Sequence, residues 1–172
     1  GEGDYPVMSP RSNELIFAKA GQIFLSPIDG SSPAKTIINI KGINSAYKWS
    51  PNGEQIAFVS NRTDHSFIGI YQNQTTALNW LQPAFSRDHS PSWSPDGSAI
   101  AFVRTAGVGG ETDSILKAKY QPWAIWTVDI KTGKGKSIWK APETLRGSYP
   151  SIEGGANLMW ADKRIVFTSY ED

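Results

Sequence analysis

The chain has 172 residues and a mass of 18.9 kDa, the size of one domain that buries roughly 70% of its unfolded surface. Seventeen Lys and Arg against sixteen Asp and Glu leave a formal charge of +1, which excludes the basic footprint of a nucleic-acid binder or of a protein held on an anionic membrane. An aromatic content of 12% excludes disorder throughout, and the absence of cysteine excludes disulfides, thiolate nucleophiles and cysteine-ligated zinc.

In chain order, the first turn signal is Ser9-Pro10-Arg11-Ser12-Asn13. It leads into an apolar strand at 14–18, a second at Gln22-Ile23-Phe24-Leu25, a turn at Asp29-Gly30, and an outer strand at Thr36-Ile37-Ile38. Trp49-Ser50-Pro51-Asn52-Gly53 restarts the pattern, with strands predicted at 55–60, 67–72 and 77–81. Trp93-Ser94-Pro95-Asp96-Gly97 restarts it again, with strands at 99–104, 124–130 and 136–139. A shortened copy, Trp160-Ala161-Asp162-Lys163-Arg164-Ile165-Val166-Phe167, carries a last strand at 164–168. Met8 and Trp49 stand 41 residues apart, Trp49 and Trp93 44, which is the period of a four-stranded propeller blade.

The turn chemistry repeats with the period. Proline presets the first central position, and Asn-Gly or Asp-Gly supplies the positive φ that follows. Ile56-Ala57-Phe58-Val59 and Ile100-Ala101-Phe102-Val103 are apolar on both faces, so each strand lies between two layers, as in a blade packed between neighbours. Trp49 and Trp93 are packing anchors, and Asn52 and Asp96 bond their local backbone. The expectation is an all-β chain: one partial β-propeller domain of about three and a half four-stranded blades, with repeats at about 5–42, 43–88, 89–142 and 156–172. Helix is confined at most to 113–120. The fourth repeat stops beside Val166 and Phe167 with an unpaired apolar edge. This predicts a fragment of a seven- or eight-bladed propeller, or a homo-oligomer that buries those edges against a second copy.

Catalytic patterns are absent. The sequence has no G-x-S-x-G, no H-E-x-x-H and no G-x-x-x-x-G-K-S/T, and its only histidines are His65 and His89. His65 follows Arg62-Thr63-Asp64 in a hairpin loop and reads as solvated. His89 is placed just before an inner strand, where ring-centre loops face a channel, and lacks a partner for a metal. Arg104 follows a buried strand, with a structural ion pair as its expected role. No cofactor or metal is expected, and no apolar run reaches the roughly 18 residues of a membrane-spanning helix.

The one departure from the repeat is an insertion of about twenty residues, 105–122, between the second and third strands of the third repeat. It is Gly-rich at its start (Gly107, Gly109, Gly110) and closes with Lys117-Ala118-Lys119-Tyr120-Gln121-Pro122. Function is commonly added in such insertions, the alternative being a variable surface loop. Tyr120 and Trp123 are candidates to stack on a peptide, with core packing as the alternative for Trp123. Glu111 and Asp113 are candidates to meet a substrate amino group, or else are solvated loop acids.

The W-S-P-D/N-G-x-x-I-A-F-V repeat, backed by an I-Y/W-x-x-D/N strand, resembles TolB-type propeller repeats. It is similar also to the N-terminal propeller of the prolyl oligopeptidase and dipeptidyl peptidase IV family. Trp123-Ala124-Ile125-Trp126, Leu145-Arg146-Gly147-Ser148-Tyr149-Pro150 and Gly154-Gly155-Ala156-Asn157-Leu158 resemble bacterial peptidases of that family. The resemblance implies a non-catalytic propeller that gates and binds peptide substrate for a C-terminal α/β-hydrolase domain of the parent serine peptidase. No triad residue carries over, and the paired glutamates of the dipeptidyl peptidase IV group have no match, since Glu111, Glu143, Glu153 and Glu171 are isolated. The alternatives are a TolB-like module that recruits protein partners and a purely structural repeat unit. The resemblance also implies a periplasmic or secreted protein.

Overall fold

The computed structural model describes residues 3–106, 122–150 and 155–170. Each complete repeat is organised by its turn. Ser94 Oγ donates to Asp96 Oδ1 at 2.6 Å and accepts the Ala99 N–H at 2.9 Å, while Asp96 Oδ1 also accepts the Ser98 N–H at 3.0 Å. These bonds hold the Asp96 carboxyl down at about 2, the Ser94 hydroxyl being the main cause. Ser50 and Asn52 reproduce the arrangement, with Ser50 Oγ 2.6 Å from Asn52 Oδ1 and the Gln55 N–H 2.9 Å from Ser50 Oγ. Gly53 (φ 72°) and Gly97 (φ 73°) close these turns in the left-handed region, where a side chain is strained.

Strands β1 (Asp4–Met8), β2 (Glu14–Lys19), β3 (Gln22–Pro27) and β4 (Lys35–Ile38) form the first blade, paired antiparallel in chain order. The second holds β5 (Ile43–Trp49), β6 (Ile56–Asn61), β7 (Ser66–Tyr71) and β8 (Asn79–Leu81). The third holds β9 (Ser86–Trp93), β10 (Ala99–Ala106), β11 (Trp123–Asp129) and β12 (Gly135–Lys140). One parallel pair, Ser66 with Arg87, links β7 to β9. A two-stranded sheet, β13 (Met159–Ala161) with β14 (Arg164–Val166), follows. The described residues contain no helix, and their sheets do not close a ring: the chain is an all-β partial propeller. The predicted helix at 113–120 lies outside the described residues.

Burial follows the two-faced strands. Ile56 and Phe58 pack against Ile16, Ile23 and Ile38 of the first blade, whereas Ala57 and Val59, on the opposite face of β6, pack toward Trp93, Ile100 and Phe102 of the third. In β10 the same alternation sends Ala101 and Val103 toward Ala156 and Leu158. β6 and β10 thus each contribute to two interfaces, the arrangement that drives blade stacking.

The tryptophans of the turn motif add a directional bond to this packing. Trp49 Nε1 donates to Val7 O at 3.2 Å, Trp93 Nε1 to Lys48 O at 3.2 Å, and Trp160 Nε1 to Ser92 O at 3.0 Å. Every acceptor lies in the first strand of the preceding blade, immediately before the residue at that blade's tryptophan position.

The first strands share a second device. Tyr5 (φ 53°), Ala46 (φ 48°), Ser90 (φ 54°) and Asn157 (φ 47°) all stand four residues before the turn position held by Ser9, Ser50, Ser94 and Ala161. Register shifts accompany the first three, so each of these first strands carries a bulge. This corrects the placement of His89: it lies within β9, beside the bulge at Ser90, not before the strand. Ser86-Arg87-Asp88-His89-Ser90-Pro91 has neither apolar alternation nor β-branched residues, and it is extended because β10 pairs with it.

Candidate binding face

The antiparallel pairing brings chosen chain segments to one face. Asp4 pairs with Ala18, Ile43 with Asn61, and Ser86 with Ala106, so the starts of β1, β5 and β9 lie beside the ends of β2, β6 and β10. The β2–β3 turn at Ala20 and Gly21 and the β6–β7 loop at 62–65 therefore share this face. β10 ends on it and β11 begins on it.

Two cavities open there. One, of about 520 Å³, lies between the first two blades and is lined by Asp4, Tyr5, Lys19, Ile43, Asn44 and Tyr47 among others. The other, of about 720 Å³, lies between the second and third and includes Lys41, Ile43, Arg62, His65, Phe67 and Arg87. Ile43 belongs to both and is 64% exposed; Tyr5, at the first cavity, is 82% exposed.

The polar groups at the first cavity are mostly engaged. Tyr47 Oη accepts the Ala18 N–H at 2.9 Å and lies 2.7 Å from Asp4 O, and burial pushes its hydroxyl pKa up. Asn44 is fully buried; its Nδ2 donates to Gly21 O at 2.9 Å, while Oδ1 has no partner among the described residues. At the second cavity, Arg87 donates to Asn61 Oδ1 at 3.3 Å and to Thr63 O at 2.8 Å. His65 is not simply solvated: Nδ1 lies 2.6 Å from Asp64 Oδ1, and its ring sits 4.7 Å from Phe67 and 5.7 Å from the exposed Phe85.

Beneath the face, Arg104 Nε and Nη2 meet Asp88 Oδ1 and Oδ2 at 2.7 Å each. Arg104 also stacks over Trp126 at 4.5 Å, so the expected ion pair is present and locks β9 to β10. His89 Nδ1 lies 3.0 Å from Ser90 Oγ, with Tyr149 edge-on at 4.9 Å; burial lowers its pKa to about 4, which keeps the ring neutral near pH 7. Among the described residues no group of three or more His, Asp or Glu is arranged to hold a metal.

Of the residues singled out in the sequence, Glu111, Asp113 and Tyr120 lie outside the described residues. Trp123 opens β11 and is 4% exposed; its Nε1 donates to Gly147 O at 3.0 Å, and Trp139, Tyr149 and Phe167 surround the indole. The cavity residues Lys41, Ile43, Arg62 and Arg87 escaped sequence reasoning. A signal was available: Ile43 and Arg87 occupy one repeat position, seven residues before Ser50 and Ser94.

Four-stranded blades that stack through their second strands, the second and third blades each carrying a Ser-Pro-Asn/Asp-Gly turn, place the chain among β-propellers of the TolB repeat type. Residues 4–113 match the TolB beta propeller domain, and the chain belongs to that family. A 65-residue stretch, 38% of this chain, is 38% identical to the Tol-Pal system protein TolB of Zymomonas mobilis and covers 11% of that protein. An oligogalacturonate lyase solved in complex with manganese superposes with a TM-score of 0.68 at 12% identity, over 94% of this chain and 44% of that one. The propeller domain of the Trilobed protease from Pyrococcus furiosus, which has an open velcro topology, superposes with a TM-score of 0.55 at 17% identity, over 81% and 42%. The chain thus spans less than half of each of these relatives, and the two structural likenesses show the fold.

Proposed function

We propose that this propeller is a non-catalytic binding module that receives an extended peptide segment across the face holding the two cavities. The observation that carries this reading is their continuity: both meet at Ile43, an exposed aliphatic side chain flanked by grooves of about 520 and 720 Å³. A peptide crossing Ile43 buries apolar surface there while its polar groups reach cavity walls on either side. Membership of the TolB family supports a segment of a protein partner as the ligand, and with it a periplasmic or secreted setting. A second reading is favoured by the likeness to a protease propeller and by the long connection between β10 and β11, whose ends lie on this face. In it, the face meets peptide substrate on its way to a hydrolase domain of the parent chain.

The test is a titration of the ¹⁵N-labelled chain with blocked extended peptides, following amide shifts. Shifts should concentrate at Tyr5 and Ile43, and Ile43→Asp should weaken binding without altering the fold. Shifts elsewhere, or binding indifferent to Ile43→Asp, would sink the reading. A chromogenic dipeptide should not be turned over by the chain.

A further inference from the structure

We infer that the cavity between the second and third blades is a recognition site for a carboxylate carried by the bound peptide, an inference that rests on the peptide-binding reading above. Lys41, Arg62 and Arg87 all line it. The one acid among its described lining residues, Asp64, lies 2.6 Å from His65 Nδ1 and pairs with none of the three cations. Arg87 bonds only neutral acceptors there, Asn61 Oδ1 and Thr63 O. No carboxylate among the described residues pairs with any of the three cations. Three cations with no carboxylate partner among the described residues therefore converge on one concave site in a chain whose net charge is +1.

Arg62 lines the wall of this cavity beside Gly42. It lies against Gly42, which has φ +98°; a Cβ there would come within 3.0 Å of Arg62 Cδ and 3.2 Å of Arg62 Nε. The missing side chain leaves room for the arginine to lie along the start of the second blade. Its Nε is buried and has no acceptor among the described residues, while its Nη groups are not buried and bond nothing described, so they form the edge that a ligand meets. A carboxylate suits that edge, since guanidinium groups bind it through paired charge-assisted hydrogen bonds. Ile43 and Phe67 on the same walls suit a carboxylate on a short aliphatic stem. A glutamyl side chain and a chain-terminal carboxylate both have that chemistry.

Arginine Nε–H resonances of the ¹⁵N-labelled full chain give the readout, with Arg62 assigned from its loss in Arg62→Gln. Three probes separate the sources: acetyl-Ala-Val-Glu-Ala-amide, its Gln isostere, and the Gln isostere with a free C-terminal carboxylate. A carboxylate probe should move the Arg62 Nε–H, and the blocked Gln probe should not; the stronger of the two carboxylate probes identifies the source. Arg62→Gln and Arg87→Gln should each weaken that probe about tenfold and leave the blocked Gln probe unchanged. Lys41→Gln is a third variant should either arginine variant lose its native amide spectrum. Equal binding of the acid and Gln probes at Ile43 would overturn the inference and leave the peptide reading standing. Free glutarate moving Arg62 while no peptide shifts Tyr5 or Ile43 would support a carboxylate site and overturn the peptide reading. No response to any probe overturns both.

Discussion

Arg104→Met removes the cation from a pair whose carboxylate, on Asp88, is fully buried. Two bonds of 2.7 Å to Asp88 are lost, together with a 2.6 Å bond from Nη2 to Gln82 O. Breaking a buried pair by removing one partner costs about 3–5 kcal/mol, because the remaining charge is left in a poor dielectric. Methionine refills much of the space over Trp126, so little of the loss comes from packing. The Ser86 hydroxyl still reaches Asp88 Oδ1 at 3.1 Å but only partly replaces a guanidinium.

The pH dependence of this variant follows from Asp88. Burial already raises its pKa, and the hydrogen bonds and charge of Arg104 oppose that rise. With Arg104 gone the folded pKa climbs further, so folded Asp88 keeps a proton that the unfolded chain releases near about pH 3.9. The folded state then binds more protons than the unfolded state across that window, and stability falls as pH rises through it. Urea denaturation followed by tryptophan fluorescence should show a loss of about 3 kcal/mol or more at pH 7. The deficit should narrow toward pH 4, and Arg104→Met with Asp88→Asn should be more stable at pH 7 than Arg104→Met alone. A loss below about 1 kcal/mol at pH 7, or one of equal size at both pH values, would refute the argument.

Trp93→Phe keeps most of the ring packing but deletes the bond to Lys48 O, and should cost about 1 kcal/mol in urea denaturation; an unchanged midpoint would mean the bond between blades contributes nothing. His89 is half-buried and neutral, with a pKa of about 4 against 6.5 unperturbed, so the unfolded chain takes up a proton first on acidification. Stability should therefore fall between pH 6.5 and 4 by up to about 3 kcal/mol, and His89→Phe should flatten that slope in a pH series of denaturation curves. Gly69→Ala places a methyl 2.5 Å from Phe58 Cζ and 3.0 Å from Trp80 in a fully packed interface, which should cost about 1–3 kcal/mol by thermal or urea denaturation.

How much of this was legible in the sequence depends on the range of the interactions involved. The turns and the two-faced strands were readable because their causes are local. Ser94, Asp96 and Gly97 bond within five residues of one another, and the alternation in Ile100-Ala101-Phe102-Val103 states directly that two layers lie against it. Repetition at 41 and 44 residues then implied blades. The first strands were less readable. Ser86–Trp93 is extended through its pairing with β10 and carries a left-handed residue at Ser90, and neither feature follows from the propensities of those eight residues. The tryptophans could be read as anchors, but that Trp93 reaches Lys48 O is a property of two blades 45 residues apart in sequence. The binding face lies at the far end of this scale. Lys41, Arg62 and Arg87 come from three separate segments outside the turn motif, and only the stacking of the second blade on the third gathers their charges around one cavity.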